Sequence, residues 1–457
     1  MNVSGQTTDF WKKQKEQRPL DLPFEMETRP KTGIVVGAGS RGNGYPWYAK
    51  EYPDQLQIIG VCEPRDFQRN RTVKAFDIAE KNAFKDWKDA ADLERFADCV
   101  IICTPDRLHK EPAIAFAKKG YHILLEKPMA VTEADCREIV ATCKENNVIL
   151  SVCHVLRYIP WVKKVKEIID SGAIGDVVNI NHTEPVGFWH FAHSFVRGNW
   201  HKESGSSFSL LAKCCHDVDL ICYWMSGRKC ERVSSFGHLS HFHSGDKPKD
   251  AADRCLDCPA HVETTCPYSA KKLYLGFVKT GHTGWPVSVI CDTPDIENVT
   301  QALRDGPYGR CVYNMDNDVV SNQVVNMQFE GGSTATLTMV AFTEGICTRQ
   351  VMIYGTKGQI TVKDGKRNPV CVYDFNSQQT TSHNMDDKTV CSSALSGHGG
   401  ADFHTINAFV DMLHNPSSST IETGPDATLA SHVLCFAAER SRKENRTLCL
   451  NDDGVYV

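Results

Sequence analysis

Two different patterns of hydrophobic and polar positions divide the chain. From Thr32 to about Val152, short apolar runs alternate with amphipathic stretches. The apolar runs predict five strands: GIVVGAG, LQIIGVCE, DCVIICTP, YHILLEKP and VILSVCH. Helical patterns such as DFQRNRTVKAF and TEADCREIVATCKENN separate them. Continuous apolar strands interleaved with helices predict an α/β domain over residues 31–152, whose parallel sheet is covered on both faces.

Longer alternating runs follow from residue 153, among them DVVNINHTE, NQVVNMQF, STATLTMVAF and GQITVKD. Such alternation is typical of antiparallel strands that bury one face. In MQFEGGSTATL, Gly331 and Gly332 occupy the turn of a predicted hairpin. We therefore expect an α+β domain over residues 153–450, built on a large, open, mostly antiparallel sheet. Two helical patterns, ADFHTINAFVDML and ATLASHVLCFAAERSRKEN, come near its end.

Two segments fit neither pattern. Residues 1–30 are charged and lack the apolar core of a signal peptide, so they are predicted to form a flexible arm. Residues from about 244 to 320 are rich in Gly, Pro, Asp and Cys and show little periodicity. This second segment is predicted to be a cysteine-rich insertion in the second domain.

Composition narrows the classes of partner. The net charge is only −5 over 457 residues, which argues against a nucleic-acid surface or a polybasic membrane anchor. No run approaches the 18 or so apolar residues of a membrane-spanning helix. Many of the 20 cysteines lie in apolar runs, which favours buried free thiols in a reducing compartment. The sequence therefore predicts a cytoplasmic protein.

A glycine motif lies at the end of the first predicted strand. Gly37, Gly39 and Gly42 form G-x-G-x-x-G where a strand passes into a helix, and backbone N–H groups there can bind a pyrophosphate. Glu63, which ends the second strand, can accept the ribose hydroxyls and repel a 2′-phosphate, so NAD is favoured. Arg65 weakens this preference and leaves NADP possible. The residues predicted to bind the cofactor at this end are Gly37, Gly39, Ser40, Arg41, Gly42 and Glu63.

The next two strand ends carry a more specific pattern. Thr104, Pro105 and His109 follow the third strand, and the sequence Glu126-Lys127-Pro128 follows the fourth. Both face the ligand crevice of a doubly wound sheet. The pattern resembles the glucose–fructose oxidoreductase, inositol dehydrogenase and MocA family, in which the E-K-P segment lines the nicotinamide pocket. The resemblance implies that Lys127 polarises a substrate hydroxyl and that Glu126 lies near the nicotinamide ribose.

The resemblance extends to about Leu448. HVLRYIP, with His154 and Tyr158, is similar to the segment that opens the second domain of the family, and both residues are predicted near the substrate or in the core. GNWHKESG resembles a stretch whose tryptophan, here Trp200, packs near the cofactor. GHGGADFHTINAFV is also typical of the family, and His398 within it is either a substrate residue or part of an ordinary turn.

One stretch departs from the family. LLAKCCHDVDLICYW matches D-x-x-x-H-x-x-D only in His216 and Asp219, because Ala212 replaces the first aspartate and Lys213 follows it. A neutral imidazole can take a proton from a carbinol, so His216 is the predicted acid/base, with a packed core histidine as the alternative. Lys213, three residues earlier on the same helix face, would lower the pKa of His216 or orient a hydroxyl. The predicted catalytic residues are Lys127, Lys213, His216 and Asp219.

The insertion contains possible metal ligands. Cys255, Cys258 and Cys266, with His261 between them, are compatible with a structural zinc site. Thiols or a local disulfide that pin an irregular loop are the alternative reading. No metal is therefore assigned.

Three functions remain open. The resemblance favours an NAD(P)-dependent oxidoreductase that moves hydride between nicotinamide and a sugar- or polyol-like carbinol. One alternative is an NAD-dependent glycosidase that oxidises its substrate transiently and eliminates an aglycone. Another is a non-catalytic NAD-binding regulatory protein. We expect a homodimer or homotetramer that binds neither nucleic acid nor membrane.

Overall fold

The computed structural model describes residues 29–363, 368–385, 395–417, 419 and 421–457. Most of the predicted arm, residues 1–30, therefore lies outside the described residues. Two sheets organise the rest of the chain. Within the described residues, no helix has the length and apolar character needed to cross a membrane.

The first sheet has six parallel strands in the order β3-β2-β1-β4-β5-β6. Its strands are β1 Lys31–Val36, β2 Leu56–Cys62, β3 Ala83–Phe84, β4 Cys99–Ile102, β5 His122–Leu125 and β6 Leu150–Val152. Its helices are α1 Tyr48–Glu51, α2 Asp66–Phe76, α3 Trp87–Asp92, α4 Lys110–Lys118 and α5 Glu133–Glu145. The strand order reverses direction between β1 and β4, and this switch point opens a crevice at the carboxyl ends of the strands. The predicted doubly wound α/β domain is confirmed.

The helix after β1 begins later than the glycine motif suggests. Residues 40–44 form turns, a 3₁₀ turn covers Tyr45–Trp47, and α1 follows at Tyr48. Pro46 occupies the first turn, where its missing N–H costs no hydrogen bond. The glycine loop is therefore longer than the sequence pattern predicts.

The second sheet has nine strands in the order β14-β13-β12-β11-β7-β10-β9-β8-β15. Its strands are β7 Val177–Pro185, β8 Cys230–His238, β9 Asn322–Phe329, β10 Thr334–Val340, β11 Gln350–Gly355, β12 Gly358–Lys363, β13 Val370–Asp374, β14 Gln379–His383 and β15 Leu448–Cys449. All neighbours are antiparallel except β7 and β10. The predicted hairpin joins β9 to β10, and Gly331 and Gly332 have φ of +79° and +83° in its turn.

One face of this sheet is covered and the other is open. The helices of this domain are α6 Pro160–Asp170, α7 Phe188–Phe191, α8 Ser209–Trp224, α9 Ala260–Thr265, α10 Gly276–Lys279, α11 Ile296–Asp305, α12 Ala401–His414 and α13 Pro425–Glu444. Helix α8 packs on β7 and β10, and α13 packs on α8 and β8. The large apolar side chains exposed on the sheet strands include Val178, Phe236, Met352 and Tyr373. Helix α12 instead contacts β1 and β5, so it joins the two domains.

The insertion between β8 and β9 contains the short helices α9, α10 and α11 and its own small core. Its buried members are Cys255, Ala270, Tyr274, Val287, Val299, Leu303 and Tyr308. The insertion also reaches the first domain, where Gln68 Nε2 on α2 donates to Asp292 Oδ1 at 2.6 Å. The predicted insertion is thus a compact lobe that contacts both domains.

Candidate active site

Of the three motif glycines, only one has room for a Cβ atom; at the other two a Cβ would clash with the backbone. A Cβ on Gly37, whose φ is +87°, would lie 2.7 Å from the carbonyl oxygen of Cys103. A Cβ on Gly42 would lie 1.8 Å from the carbonyl oxygen of Gly37. A Cβ on Gly39 would meet only Arg65 Nη2, at 3.6 Å. Two glycines therefore permit the turn, and Gly39 leaves space at the backbone where a pyrophosphate can approach. This loop fits a dinucleotide.

Glu63, which follows β2, already has hydrogen-bond partners within the protein. Glu63 accepts from the backbone N–H of Ala38 at 2.8 Å, and Arg65 Nε and Nη2 donate to it at 2.8 and 3.0 Å. The Glu63 side chain is 3% exposed and that of Arg65 is 59% exposed. Burial raises the pKa of Glu63, but its hydrogen bonds to Arg65 outweigh burial and the net shift is downward. Glu63 is thus an anion at the end of β2, paired with the exposed Arg65.

Arg41 joins the glycine loop to two other segments. Its Nε donates to Glu126 Oε1 at 2.6 Å, and its Nη1 and Nη2 donate to Asp402 Oδ2 and Oδ1 at 2.6 and 2.9 Å. Tyr45 donates its hydroxyl to the same Glu126 oxygen at 2.9 Å. Ser40 is exposed beside Arg41. The predicted cofactor residues Arg41 and Glu126 therefore form a charged network that reaches helix α12.

Lys127 and His216 face each other across the crevice between the two domains. Lys127 Nζ donates to the carbonyl oxygen of Ala212 at 2.8 Å. In a helix this carbonyl also accepts from the N–H four residues later, which is that of His216. The lysine of the first domain is thus bound one turn before the imidazole on α8. The backbone at position 212 supplies an acceptor where the family has an aspartate side chain.

The His216 imidazole is buried and uncharged. It is 6% exposed, and its buried Nδ1 has no hydrogen-bond partner among the described residues. Burial is the largest cause that lowers the pKa of His216 well below its ordinary value, and the positive charge of Lys127 adds to it. The imidazole is therefore neutral near pH 7, and its lowered pKa makes it a weaker base than a free imidazole.

Two further histidines lie behind His216. The ring of His154 packs edge-on against His216 at 5.5 Å between centroids and against His432 at 5.3 Å. His154 and His432 are both 0% exposed. His432 Nε2 accepts from the backbone N–H of Met129, beside the E-K-P segment, at 2.9 Å. Of the two alternatives predicted for His154, its burial against His216 supports the core position.

His398 stands on the open side of His216. Its ring centroid is 6.4 Å from that of His216, and its Nδ1 lies 2.9 Å from Asp402 Oδ1. The side chain is 42% exposed. Burial lowers the pKa of His398 and Asp402 raises it, with a net shift downward. The structure therefore brings together three predicted residues, Lys127, His216 and His398.

Lys213 points into a neighbouring cluster. Its Nζ lies 2.9 Å from Cys347 Sγ and 3.5 Å from Glu184 Oε1. The causes that lower the pKa of His216 are burial, Lys127, His154, His398 and Arg349. Lys127 is the largest charged cause of this shift, and an effect of Lys213 on His216 remains a prediction.

Asp219 and Tyr158 are buried, and Asp219 Oδ2 lies 3.8 Å from Nδ1 of His154. Arg157 Nε and Nη2 donate to Asp219 at 2.6 and 2.7 Å, and Ser431 donates to it at 3.1 Å. The Tyr158 hydroxyl lies 3.2 Å from Thr423 Oγ1, and the residue is 3% exposed. The catalytic role of Asp219 remains a prediction, and the contacts of Tyr158 support its core alternative. Asp219 is a partner of Arg157, and Tyr158 is a core residue.

The segment after β4 is braced internally. His109 is 1% exposed, with Nδ1 2.7 Å from the carbonyl oxygen of Pro128 and Nε2 2.8 Å from that of Thr104. The Thr104 hydroxyl donates to the carbonyl oxygen of Leu108 at 3.0 Å, and Pro105 is exposed. The prediction that His109 binds the cofactor is corrected, because both ring nitrogens face the protein backbone.

Trp200 links the second domain to the segment after β4 by a hydrogen bond. Its Nε1 donates to Asp106 Oδ2 at 3.0 Å, and the Ser206 hydroxyl donates to the same oxygen at 2.9 Å. Asp106 lies four residues after the end of β4. Trp200 therefore lies at the edge of the crevice, and its contact with the cofactor remains a prediction.

The predicted zinc ligands come together only in part. His261 is 68% exposed and faces Asp250 at 3.8 Å. Cys255, Cys258 and Cys266 line a small cavity of about 20 Å³ with Cys311. In the described part of the chain, no three His, Cys, Asp or Glu side chains are placed to hold a metal. The cysteines in the described ranges are free thiols.

Sequence reasoning missed Asp402, His432 and the cluster of Lys213 with Cys347 and Glu184. Asp402 lies in the first turn of α12, four residues after His398, which is a spacing that could have signalled the pair. His432 and Cys347 lie far along the chain from their partners and carry no local signal. Together, the site offers a pyrophosphate loop, an ammonium and a neutral imidazole in one crevice.

Comparisons with known proteins agree with this arrangement. A model described as an oxidoreductase family with an NAD-binding Rossmann fold matches residues 32–154. A second, described as the C-terminal alpha/beta domain of that oxidoreductase family, matches residues 166–450. The fold is also shared with a levoglucosan dehydrogenase solved in complex with NADH, at a TM-score of 0.67 and 15% identity, over 93% of this chain and 100% of that one.

Curated relatives match mainly the first half. An uncharacterized oxidoreductase of Streptococcus pneumoniae is 38% identical over 152 residues, which is 33% of this chain and 40% of the relative. A 2,7-anhydro-N-acetylneuraminate hydratase of Mediterraneibacter gnavus is 33% identical over 207 residues, covering 45% and 52%. The chain thus spans about half the length, or less, of these relatives.

Both domain models match, and together they cover most of the chain. The resemblance inferred from the E-K-P segment and the glycine motif is confirmed. The protein belongs to the glucose–fructose oxidoreductase, inositol dehydrogenase and MocA family of oxidoreductases.

Proposed function

We propose that this protein is an NAD(P)-dependent oxidoreductase that acts on the CH–OH group of a sugar or polyol. The observation that carries the proposal is the meeting of Lys127 and His216 across the crevice at the carboxyl ends of the first sheet. Levoglucosan dehydrogenase, whose fold is shared, supports a sugar-like carbinol as the substrate class.

Each side chain has a defined task. A bound nicotinamide supplies hydride chemistry, and Gly37, Gly39 and Gly42 form the loop that would hold its pyrophosphate. Lys127 can turn its ammonium from the Ala212 carbonyl toward the substrate oxygen and stabilise negative charge there. His216, neutral near pH 7, accepts the carbinol proton at a ring nitrogen during oxidation and returns it during reduction.

Substitution of the two central residues tests this proposal. Lys127→Met and His216→Ala should each lower turnover by about 10²-fold or more, while NADH binding persists. Turnover is followed as absorbance of reduced nicotinamide over a panel of sugars and inositols. His383→Ala, on the edge strand β14, is the matched control and should retain full activity. Wild-type protein that binds NADH but oxidises and reduces nothing in the panel contradicts the proposal.

The cofactor is proposed to be NAD, with NADP as the alternative. Glu63 is an anion at the end of β2, which disfavours a 2′-phosphate. Arg65 remains able to pair with that phosphate, because its side chain is largely exposed. Calorimetric titration with NADH and NADPH tests the preference.

A homodimer or homotetramer in the cytoplasm is also proposed. The exposed Val178, Phe236, Met352 and Tyr373 on the open sheet favour self-association through that face. Light scattering of wild type and Phe236→Glu measures the oligomeric state. A monomeric wild type contradicts this assignment and leaves the redox proposal unaffected.

A second candidate is redox-assisted cleavage of a glycoside with no net change of the cofactor. It is favoured by the pairing of Lys213 with Cys347 beside the reacting residues, because an elimination needs an additional base. The hydratase of Mediterraneibacter gnavus supports non-redox net chemistry in a relative. Release of 4-nitrophenol from aryl glycosides without accumulation of NADH would favour this candidate.

A further inference from the structure

A second group of side chains lies next to the residue of α8 that binds Lys127. Lys213 follows Ala212, whose carbonyl binds Lys127, and the Lys213 ammonium lies 2.9 Å from Cys347 Sγ. On its other side, Cys347 Sγ is 3.6 Å from His190 Nδ1. Burial is the largest cause that lowers the pKa of His190, and the charges of Lys213 and Lys127 add to it. Both lysines therefore lie near His190.

Aromatic rings from the insertion continue this group. The Trp285 ring meets the edge of His190 at 5.0 Å and lies 5.4 Å from Trp189, between centroids. Trp189 also packs against Phe277 of the insertion at 5.8 Å. Trp285 is 40% exposed, although these neighbours hold its position. A fixed, partly exposed indole beside a polar crevice is a typical binding feature for a ligand.

The charges in this group are balanced. Lys213 faces Cys347 and Glu184, and Glu184 is 0% exposed with Arg349 Nη2 at 3.3 Å. Burial raises the pKa of the Cys347 thiol, but Lys213 and Arg349 outweigh burial and the net shift is downward. Arg349 is already paired with the anionic Asp217, whose Oδ1 lies 2.7 Å from its Nε, and burial raises the pKa of Glu184 to about 8, so little unpaired charge remains for a charged ligand. A neutral ligand with hydroxyl groups suits this environment better than an additional anion.

We propose that Trp285, His190 and Lys213 form a second carbohydrate subsite, which binds the aglycone sugar of a neutral glycoside whose first ring lies between Lys127 and His216. The proposal rests on the proposed function and specifies its substrate as disaccharide-sized. The C–H face of the second pyranose stacks on the Trp285 indole. Lys213 and His190 are placed to hydrogen-bond with its hydroxyls, because an ammonium carries three N–H donors.

The first test compares glycosides with free sugars. The probes are cellobiose, lactose and chitobiose beside glucose, galactose and N-acetylglucosamine, titrated into the full chain with NADH present and monitored by calorimetry. Wild type should bind at least one disaccharide about tenfold more tightly than the matching monosaccharide. Trp285→Ala should remove that advantage and leave monosaccharide affinity unchanged. Trp47→Ala, which removes an indole of similar exposure (37%), should retain it.

Substitutions of Lys213 provide a second, independent test of the subsite. Lys213→Gln keeps an N–H donor and should retain most of the disaccharide preference, whereas Lys213→Met should reduce it several-fold.

Equal binding of disaccharides and monosaccharides by wild type overturns the subsite, as does a preference that survives in Trp285→Ala. Oxidation of free sugars with no disaccharide preference overturns the subsite alone. Binding of disaccharides through Trp285 without any change of nicotinamide absorbance supports the subsite and contradicts the redox function. Binding of no sugar overturns both.

Discussion

One added methyl group in the glycine loop should weaken cofactor binding without weakening folding. In Gly39→Ala, the added Cβ meets only Arg65 Nη2 at 3.6 Å, an ordinary contact with a mobile side chain. The free energy of unfolding should therefore change by less than about 1 kcal/mol. The same methyl occupies the space through which a pyrophosphate reaches the backbone. NADH affinity should fall at least about tenfold, which corresponds to ~1.4 kcal/mol.

Gly42→Ala provides the contrast. Its Cβ would lie 1.8 Å from the carbonyl oxygen of Gly37, which is roughly 1.7 Å short of a comfortable contact of about 3.5 Å. The clash is with backbone, so the turn itself must shift. We expect a loss of about 3 kcal/mol of unfolding free energy or more. NADH binding should be lost together with stability.

Calorimetric titration with NADH and urea denaturation measure the two quantities on the same preparations. The expected pattern is weak binding with normal stability for Gly39→Ala, and weak binding with low stability for Gly42→Ala. Wild-type affinity in Gly39→Ala would refute the assignment of this loop as the pyrophosphate site. Low stability in Gly39→Ala would refute the open space at that position.

Three further results are expected. Burial lowers the pKa of His154 to about 4 and of His432 to about 3 in the folded protein, so both stay neutral while the unfolded chain gains protons below about pH 6.5. Their stabilisation is full above that pH and is lost as pH falls, so unfolding free energy should drop by about 3 kcal/mol between pH 7.5 and 5.5, and a flat urea profile would contradict this. Tyr158→Phe should cost about 1 kcal/mol, because the contact with Thr423 is buried, yet leave KM unchanged; a large rise in KM would restore Tyr158 to the substrate site. Arg65→Ala should weaken NADPH binding relative to NADH, and an unchanged ratio in paired titrations would exclude a role for Arg65 in cofactor choice.

The pattern of apolar residues predicted both sheets because each sheet type has its own periodicity. Buried parallel strands such as β4, CVII, are apolar throughout, whereas β9 and β10 alternate between a covered and an open face. The hairpin at Gly331 and Gly332 was predictable for a local reason, since the turn needs positive φ. Helix α11 in the insertion was missed, although Asp295 caps its first turn by accepting from the Asn298 N–H at 2.6 Å.

The site residues also differed in whether a local pattern was enough to predict their position. Lys127 and His216 were predicted from short motifs, since each lies in a recognisable local pattern. Asp219 was predicted from the same motif as His216, and His154 and Tyr158 were left open between the substrate site and the core; the structure buries all three. Burial depends on which helix covers a segment, and a motif does not contain that information.

The amino-acid sequence alone determined the two sheet types, the glycine loop and the identity of the lysine and imidazole, because these depend on neighbours within a few residues. Only the tertiary structure decided the partners across long separations: Arg41 with Asp402, His154 with His432, and Lys213 with Cys347. Those pairs form when helices α12 and α13 and the loop before β11 pack against the crevice. Packing brings together residues whose spacing along the chain carries no periodic signal, so their roles could be read only from the folded protein.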